Sequence, residues 1–91
     1  MEFEWDPRKA EINLRKHGVS FLEAGTVFGD KLSINVPDPD HSDNEDRVIT
    51  IGWSNRRRLI MISHTDRGDR IRIISARELT KAERKVYEEE I

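Results

Sequence analysis

The 91-residue chain contains no cysteine. That absence excludes disulfides, a thiolate nucleophile and any thiolate-ligated metal site, and it fits a reducing compartment. No apolar run is long enough to span a bilayer, and no signal-like stretch opens the chain, so a cytoplasmic protein with no membrane partner is expected. Aromatic residues are scarce at 7%, and no RNP-like pattern occurs. Both facts argue against a base-stacking platform for single strands. Glycine-rich phosphate loops and a nucleophile elbow are missing as well. There is no internal repeat, low-complexity segment or second domain.

Charge is abundant, at 37% of residues, and unevenly placed. Residues 1–46 hold 5 Lys/Arg against 11 Asp/Glu, whereas residues 47–85 hold 11 against 4. The net charge of −2 therefore hides a basic half able to present a local positive face. A solvated, self-compensating surface is the plain alternative.

The elements are punctuated clearly. MEFEW alternates apolar and acidic residues, as a short strand does through Trp5. Asp6-Pro7 is a helix start, and Gly18 closes that helix after Lys16 and His17 in its last turn. Ala10, Ile12 or Asn13, and Leu14 are its expected core positions. Ser20 to Glu23 is a capping box for a second helix, with Phe21, Ala24, Val27 and Phe28 as its apolar stripe. A strand over 31–36 precedes a polar loop over 37–46. Strands over 47–53, 58–65 and 70–77 follow on short connections, which predicts an antiparallel meander. Thr80 to Glu83 is another capping box, opening a C-terminal helix through Tyr87. The expected class is α+β: a small single domain, an antiparallel β-meander with two N-terminal helices and one C-terminal helix, the helices covering one sheet face.

The chemistry concentrates in RIRIISAREL (70–79). Strict alternation puts Arg70, Arg72, Ile74 and Ala76 on one face and Ile71, Ile73, Ser75 and Arg77 on the other. Arg77 lies just ahead of a helix N-terminus, so it, that helix start, and Arg72 or Arg67 are candidates to surround one phosphate. Cross-strand pairing of Arg70 and Arg72 with acids, and of Arg77 with Glu78 or Glu83, is the competing reading. His17 is a candidate general acid or a plain helix cap, and His64 reads as a packed or edge residue. His41 lies among Asp38, Asp40, Asp43 and Glu45, but at no EF-hand or zinc spacing, so no metal is expected.

FEWDPRKAEINLRKHGVSF, VFGD at 27–30, the acid loop running to Glu45 and Arg47, and RIRIISAREL followed by KAERKVYE together resemble the BrnT family. These are small toxins of bacterial type II toxin–antitoxin systems, and the resemblance runs from residue 3 to about residue 88. It implies one toxin domain over 1–91 with a RelE-like fold. The implied activity is a metal-independent endoribonuclease that slows translation and needs no cofactor. The implied partners are RNA and a BrnA-type ribbon-helix-helix antitoxin, with operator DNA reached only through the antitoxin. Its matching polar positions are Lys9, Lys16, His17, Glu45, Arg47, Arg67, Arg72, Arg77, Glu83 and Tyr87. Cleavage by a 2′-hydroxyl needs positive charge against the phosphorane, for which Arg72 and Arg77 are expected, with Arg67 in support. His17 or Glu83 would exchange protons, and Lys9 and Lys16 would hold the RNA backbone. Glu45, Arg47 and Tyr87 complete the expected substrate-binding set. A non-catalytic protein-binding module is the alternative.

Overall fold

A computed structural model of the chain describes residues 1–38 and 47–90. Strand β1 (Glu2–Glu4) leads into helix α1 (Pro7–His17), whose ends follow the local signals. The Asp6 carboxylate accepts the Arg8 N–H at 2.8 Å, and Gly18 takes φ 69° while its N–H donates to Leu14 O. Helix α2 (Phe21–Thr26) is capped by Ser20, and a 3₁₀ turn (Val27–Gly29) extends it. Strands β2 (Ile34–Pro37), β3 (Arg47–Trp53), β4 (Leu59–Arg67) and β5 (Arg70–Glu78) come next, then helix α3 (Lys81–Glu90).

Among the described residues five strands form one sheet in the order β1-β5-β4-β3-β2. The last four make the expected antiparallel meander, and β1 joins the β5 edge in parallel. Gly68 supplies the positive φ of the tight β4–β5 turn. The β3–β4 connection places Arg57 at φ 61°, a left-handed position where glycine is the easier residue.

One sheet face carries Ile60, Ile62, Ile71, Ile73 and Ala76, packed against Val19, Phe21, Ala24 and Val27. Helices α1 and α2 lie on this face. The expectation that all helices share it is corrected by α3, which crosses the opposite face beside Ile34, Ile51 and Met61. Those alternate positions are apolar too, so the second face needs its own cover.

A β-bulge corrects the strict alternation of β5. Ser63 pairs with Ser75 but His64 pairs with Ile73, leaving Ile74 as the extra residue. Beyond it Ala76 turns inward, and Ser75 and Arg77 join Arg70 and Arg72 on the outer face.

Helix α1 also departs from its apolar pattern. Asn13 is 5% exposed, whereas Ile12 and Leu14 are 58% and 50% exposed. The cause is the short β1, which pairs with β5 only as far as Arg72. The Asn13 amide substitutes for the missing strand, donating to Ala76 O at 2.8 Å and accepting from Ala76 N–H at 3.0 Å. It donates to Val19 O as well.

The helical layer is tied to the β3–β4 connection by a buried ion pair. Glu23 accepts from Ser54 Oγ at 2.7 Å and from both Nε and Nη2 of Arg58. Arg58 reaches onward to Gly18 O and Glu78. Its hydrogen bonds hold the Glu23 carboxyl below the usual range against the opposing effect of burial.

Candidate active site

The outer face is organised in cross-strand rows. Arg47, Thr65 and Arg72 form one, then Ile49, Ser63 and Ser75, then Ile51, Met61 and Arg77. Over the middle rows lies an open depression of about 280 Å³. Ile49, Met61, Ser63 and Ser75 line its floor, with His17, Asp38, Arg47 and Arg77 around it. His17 arrives from the last turn of α1 because Asn13, one turn earlier, fixes that helix to Ala76.

Arg77 is held from the side of α3. Its Nη1 and Nη2 donate to the two Glu83 oxygens at 2.8 and 2.9 Å, and Nη1 also reaches Glu78 O. Thr80 and Glu83 complete the reciprocal capping box expected from sequence. These bonds leave the Nε–H and one Nη2–H of Arg77 for another acceptor. The Arg77 guanidinium, helped by the Thr80 N–H, lowers the Glu83 carboxyl to about 2. Glu83 is therefore an ionised support for Arg77 rather than a proton donor near neutral pH.

The structure brings His17, Arg47 and Arg77 to one depression and spreads the other expected residues. Arg72 shares the outer face but pairs with Glu4 at 2.9 Å, and Arg70 leans toward Glu2 and Glu4. Arg67 sits opposite Arg70 at the hairpin end. Seven residues separate Arg70 from Arg77, roughly 20 Å of strand, so Arg67 is not brought beside Arg77. Lys9 and Lys16 are exposed and two turns apart, hence on one side of α1. Tyr87 is buried beneath α3 and donates to Leu32 O at 3.3 Å, and burial raises its phenol pKa. Glu45 and His41 lie outside the described residues.

His64 faces the core, not the depression. Its Nε2 lies 2.7 Å from Thr50 Oγ1, Phe28 meets its ring edge-on, and burial pushes its pKa down. Among the described residues no three His, Asp or Glu side chains are placed to hold one metal ion. No helix there is long and apolar enough to cross a membrane. Sequence reasoning passed over Ser63 and Ser75 as site residues and weighed Asp38 only as one acid of the loop around His41. The available signal was a serine within each of two isoleucine-rich strands.

Fold and depression together define a small α+β domain with an arginine-flanked, histidine-bearing cleft on an open sheet face, a site suited to a phosphate ester. A family model described as "Ribonuclease toxin, BrnT, of type II toxin-antitoxin system" matches residues 5–83. The chain belongs to that family. Its fold is similar to the 1.1 Å crystal structure of the Brucella abortus ribonuclease toxin, BrnT, with a TM-score of 0.69. The two are 24% identical, over 89% of this chain and 99% of that one. No curated protein matches the chain.

Proposed function

We propose that the chain is the toxin of a type II toxin–antitoxin pair, an endoribonuclease that cuts RNA in the outer-face depression and thereby inhibits translation. The observation that carries this reading is the convergence of His17, Arg47 and Arg77 on one open cleft, in a chain of a ribonuclease-toxin family. RNA supplies its own nucleophile. The 2′-oxygen attacks the adjacent phosphorus, the bond to the 5′-oxygen breaks, and a 2′,3′-cyclic phosphate and a 5′-hydroxyl result. One proton leaves the 2′-oxygen and one arrives at the 5′-oxygen, a transfer suited to histidine and here given to His17. The free N–H groups of Arg77, with Arg47, bind the phosphoryl oxygens as charge develops, an effect worth about 3 kcal/mol for one well-placed donor.

Flanking phosphates extend along Lys9 and Lys16 on one side and along Arg72, then Arg67, on the other. Glu45 and Tyr87 complete the proposed substrate set, Tyr87 by seating α3 and with it Glu83. The neutralising partner is a BrnA-type ribbon-helix-helix antitoxin, through which alone operator DNA is contacted, and the setting is the cytoplasm. Chemistry of this kind needs no metal. The test is incubation of the purified chain with an RNA oligonucleotide, with and without EDTA, and analysis of the product ends. Cyclic phosphate ends in both arms are expected; intact RNA, or loss of cleavage in EDTA, contradicts the scheme.

One observation favours a second reading, a non-catalytic protein-binding module. Three Arg77 N–H groups are already taken by Glu83 and Glu78 O, as in a purely structural pair. In that case RNA stays intact at every protein concentration.

A further inference from the structure

Beside the cleft lies a second concavity with different chemistry. It has a volume of about 300 Å³ and lies between α3 and the outer sheet face. Ile34, Ile51, Met61 and Leu79 form its apolar lining. Helix α3 contributes Glu83, Val86, Tyr87 and Glu90, the spacing of one helix face, with an acid at each end and apolar residues between. Val86 remains 59% exposed and Ile34 36% exposed, so apolar surface stays open to solvent there. Glu88 and Glu89 add exposed negative charge at the same helix end.

We infer that this groove is the docking site of a cationic amphipathic helix from a protein partner. The inference deepens the toxin reading, on which it rests for having a protein partner at all. Apolar lining between Glu83 and Glu90 calls for apolar residues flanked by Lys or Arg on the incoming helix, the charge-complementary pattern. The competing occupant is a second copy of this chain, since antiparallel α3 helices would set Lys81 and Lys85 against Glu88, Glu89 and Glu90; a dimer of the free chain in sedimentation would overturn the inference. RNA is repelled by the same glutamates. The groove also communicates with the cleft. Met61 lines both, and Glu83, at the groove's edge, grips Arg77. A cation delivered to Glu83 competes with Arg77 for that carboxylate, so docking is felt where phosphate would bind.

Methyl NMR of the full chain tests this with three helical peptides of about four turns. One has a leucine stripe on a lysine background, the second replaces lysine by glutamate, and the third scrambles the lysine peptide. Saturable shifts at the Ile34, Ile51, Met61, Leu79 and Val86 methyls are expected with the first peptide. Binding at least tenfold weaker is expected for the other two, and for the first peptide with Val86→Asp protein. Unchanged Ile60, Ile62 and Ile73 methyls in the free variant establish that it is folded; if they move, Glu88→Gln/Glu89→Gln/Glu90→Gln protein takes its place, with the same loss expected. No shift at the groove, shifts centred elsewhere, equal binding of all peptides, or an unweakened variant overturns the inference. RNA cleavage by the free chain is measured separately. Its absence would remove the toxin reading, while the methyl shifts still decide the groove.

Discussion

Arg58→Ala should be among the most damaging single changes in this protein, although Arg58 is no part of the proposed site. The Glu23 side chain is 4% exposed and that of Arg58 26% exposed. Removing one partner of such a pair strands the other charge at a cost of about 3–5 kcal/mol, and partial access of water around Arg58 places the expectation near 3. A domain of this length has roughly 5–13 kcal/mol in total, so the variant should lose a large share of its stability. The pH dependence carries a sign. In the native protein the Glu23 carboxyl is depressed, so its contribution is present above the unfolded value of 4.5 and lost as pH falls through the folded one. In the variant, burial acts with far less opposition and raises the carboxyl. The penalty is then largest at pH 7 and fades as protonation approaches pH 4.5. Urea unfolding at pH 7 and 4.5 should therefore show a gap between the two proteins that narrows in acid. Glu23→Gln/Arg58→Ala should recover at least about 1 kcal/mol over Arg58→Ala at pH 7, because no buried charge is left unpaired. A loss under about 0.5 kcal/mol, a gap independent of pH, or a double variant no better than the single one would refute the reasoning.

Asn13→Ala leaves Ala76 N–H, Ala76 O and Val19 O without their partner and should cost about 2–3 kcal/mol in the same urea assay. Gly52→Ala would bring a Cβ to 2.9 Å from Asp30 Oδ2 and from Ser33 Cβ and 3.1 Å from Val27 Cγ1. Calorimetry should show a lower Tm, equivalent to about 1–3 kcal/mol of overpacking. Glu83→Gln removes a pair whose side chains are each 37% exposed, so screening limits the loss to about 1 kcal/mol at pH 7. Since the Glu83 carboxyl is depressed from 4.5 to about 2, this difference should hold above pH 4.5 and shrink as pH falls toward 2.

Local chemistry was legible in the sequence wherever it acts over three or four residues. Asp6, Gly18 and Ser20 cap as their positions predict, and Thr80 with Glu83 forms the full reciprocal box. Hydrophobic alternation and short turns gave β2 to β5 in the right order. What stayed hidden depends on contacts distant in the chain. Glu23 looks like a box partner for Ser20, yet its carboxylate is drawn 35 residues away to Arg58. Asn13 displaces Ile12 and Leu14 from the core because a polar edge at Ala76 needs an amide more than the core needs another leucine. The bulge at Ile74 has no residue signature, and it alone decides that Arg77 faces the depression. Of the site, the residue types were readable and the grouping was not. Nothing in the spacing separates Arg67 from Arg77, or joins His17 to Ser63.

The proposed toxin must cut RNA in the outer-face depression through Arg77. The most direct measurement is the cleavage rate of one RNA oligonucleotide by the wild-type chain and by Arg77→Ala, both shown by circular dichroism to be folded. Cleavage by the wild type is expected, with a rate about a hundredfold or more lower in the variant. Equal rates would place the chemistry elsewhere on the molecule, and no cleavage by either protein would contradict the ribonuclease reading itself.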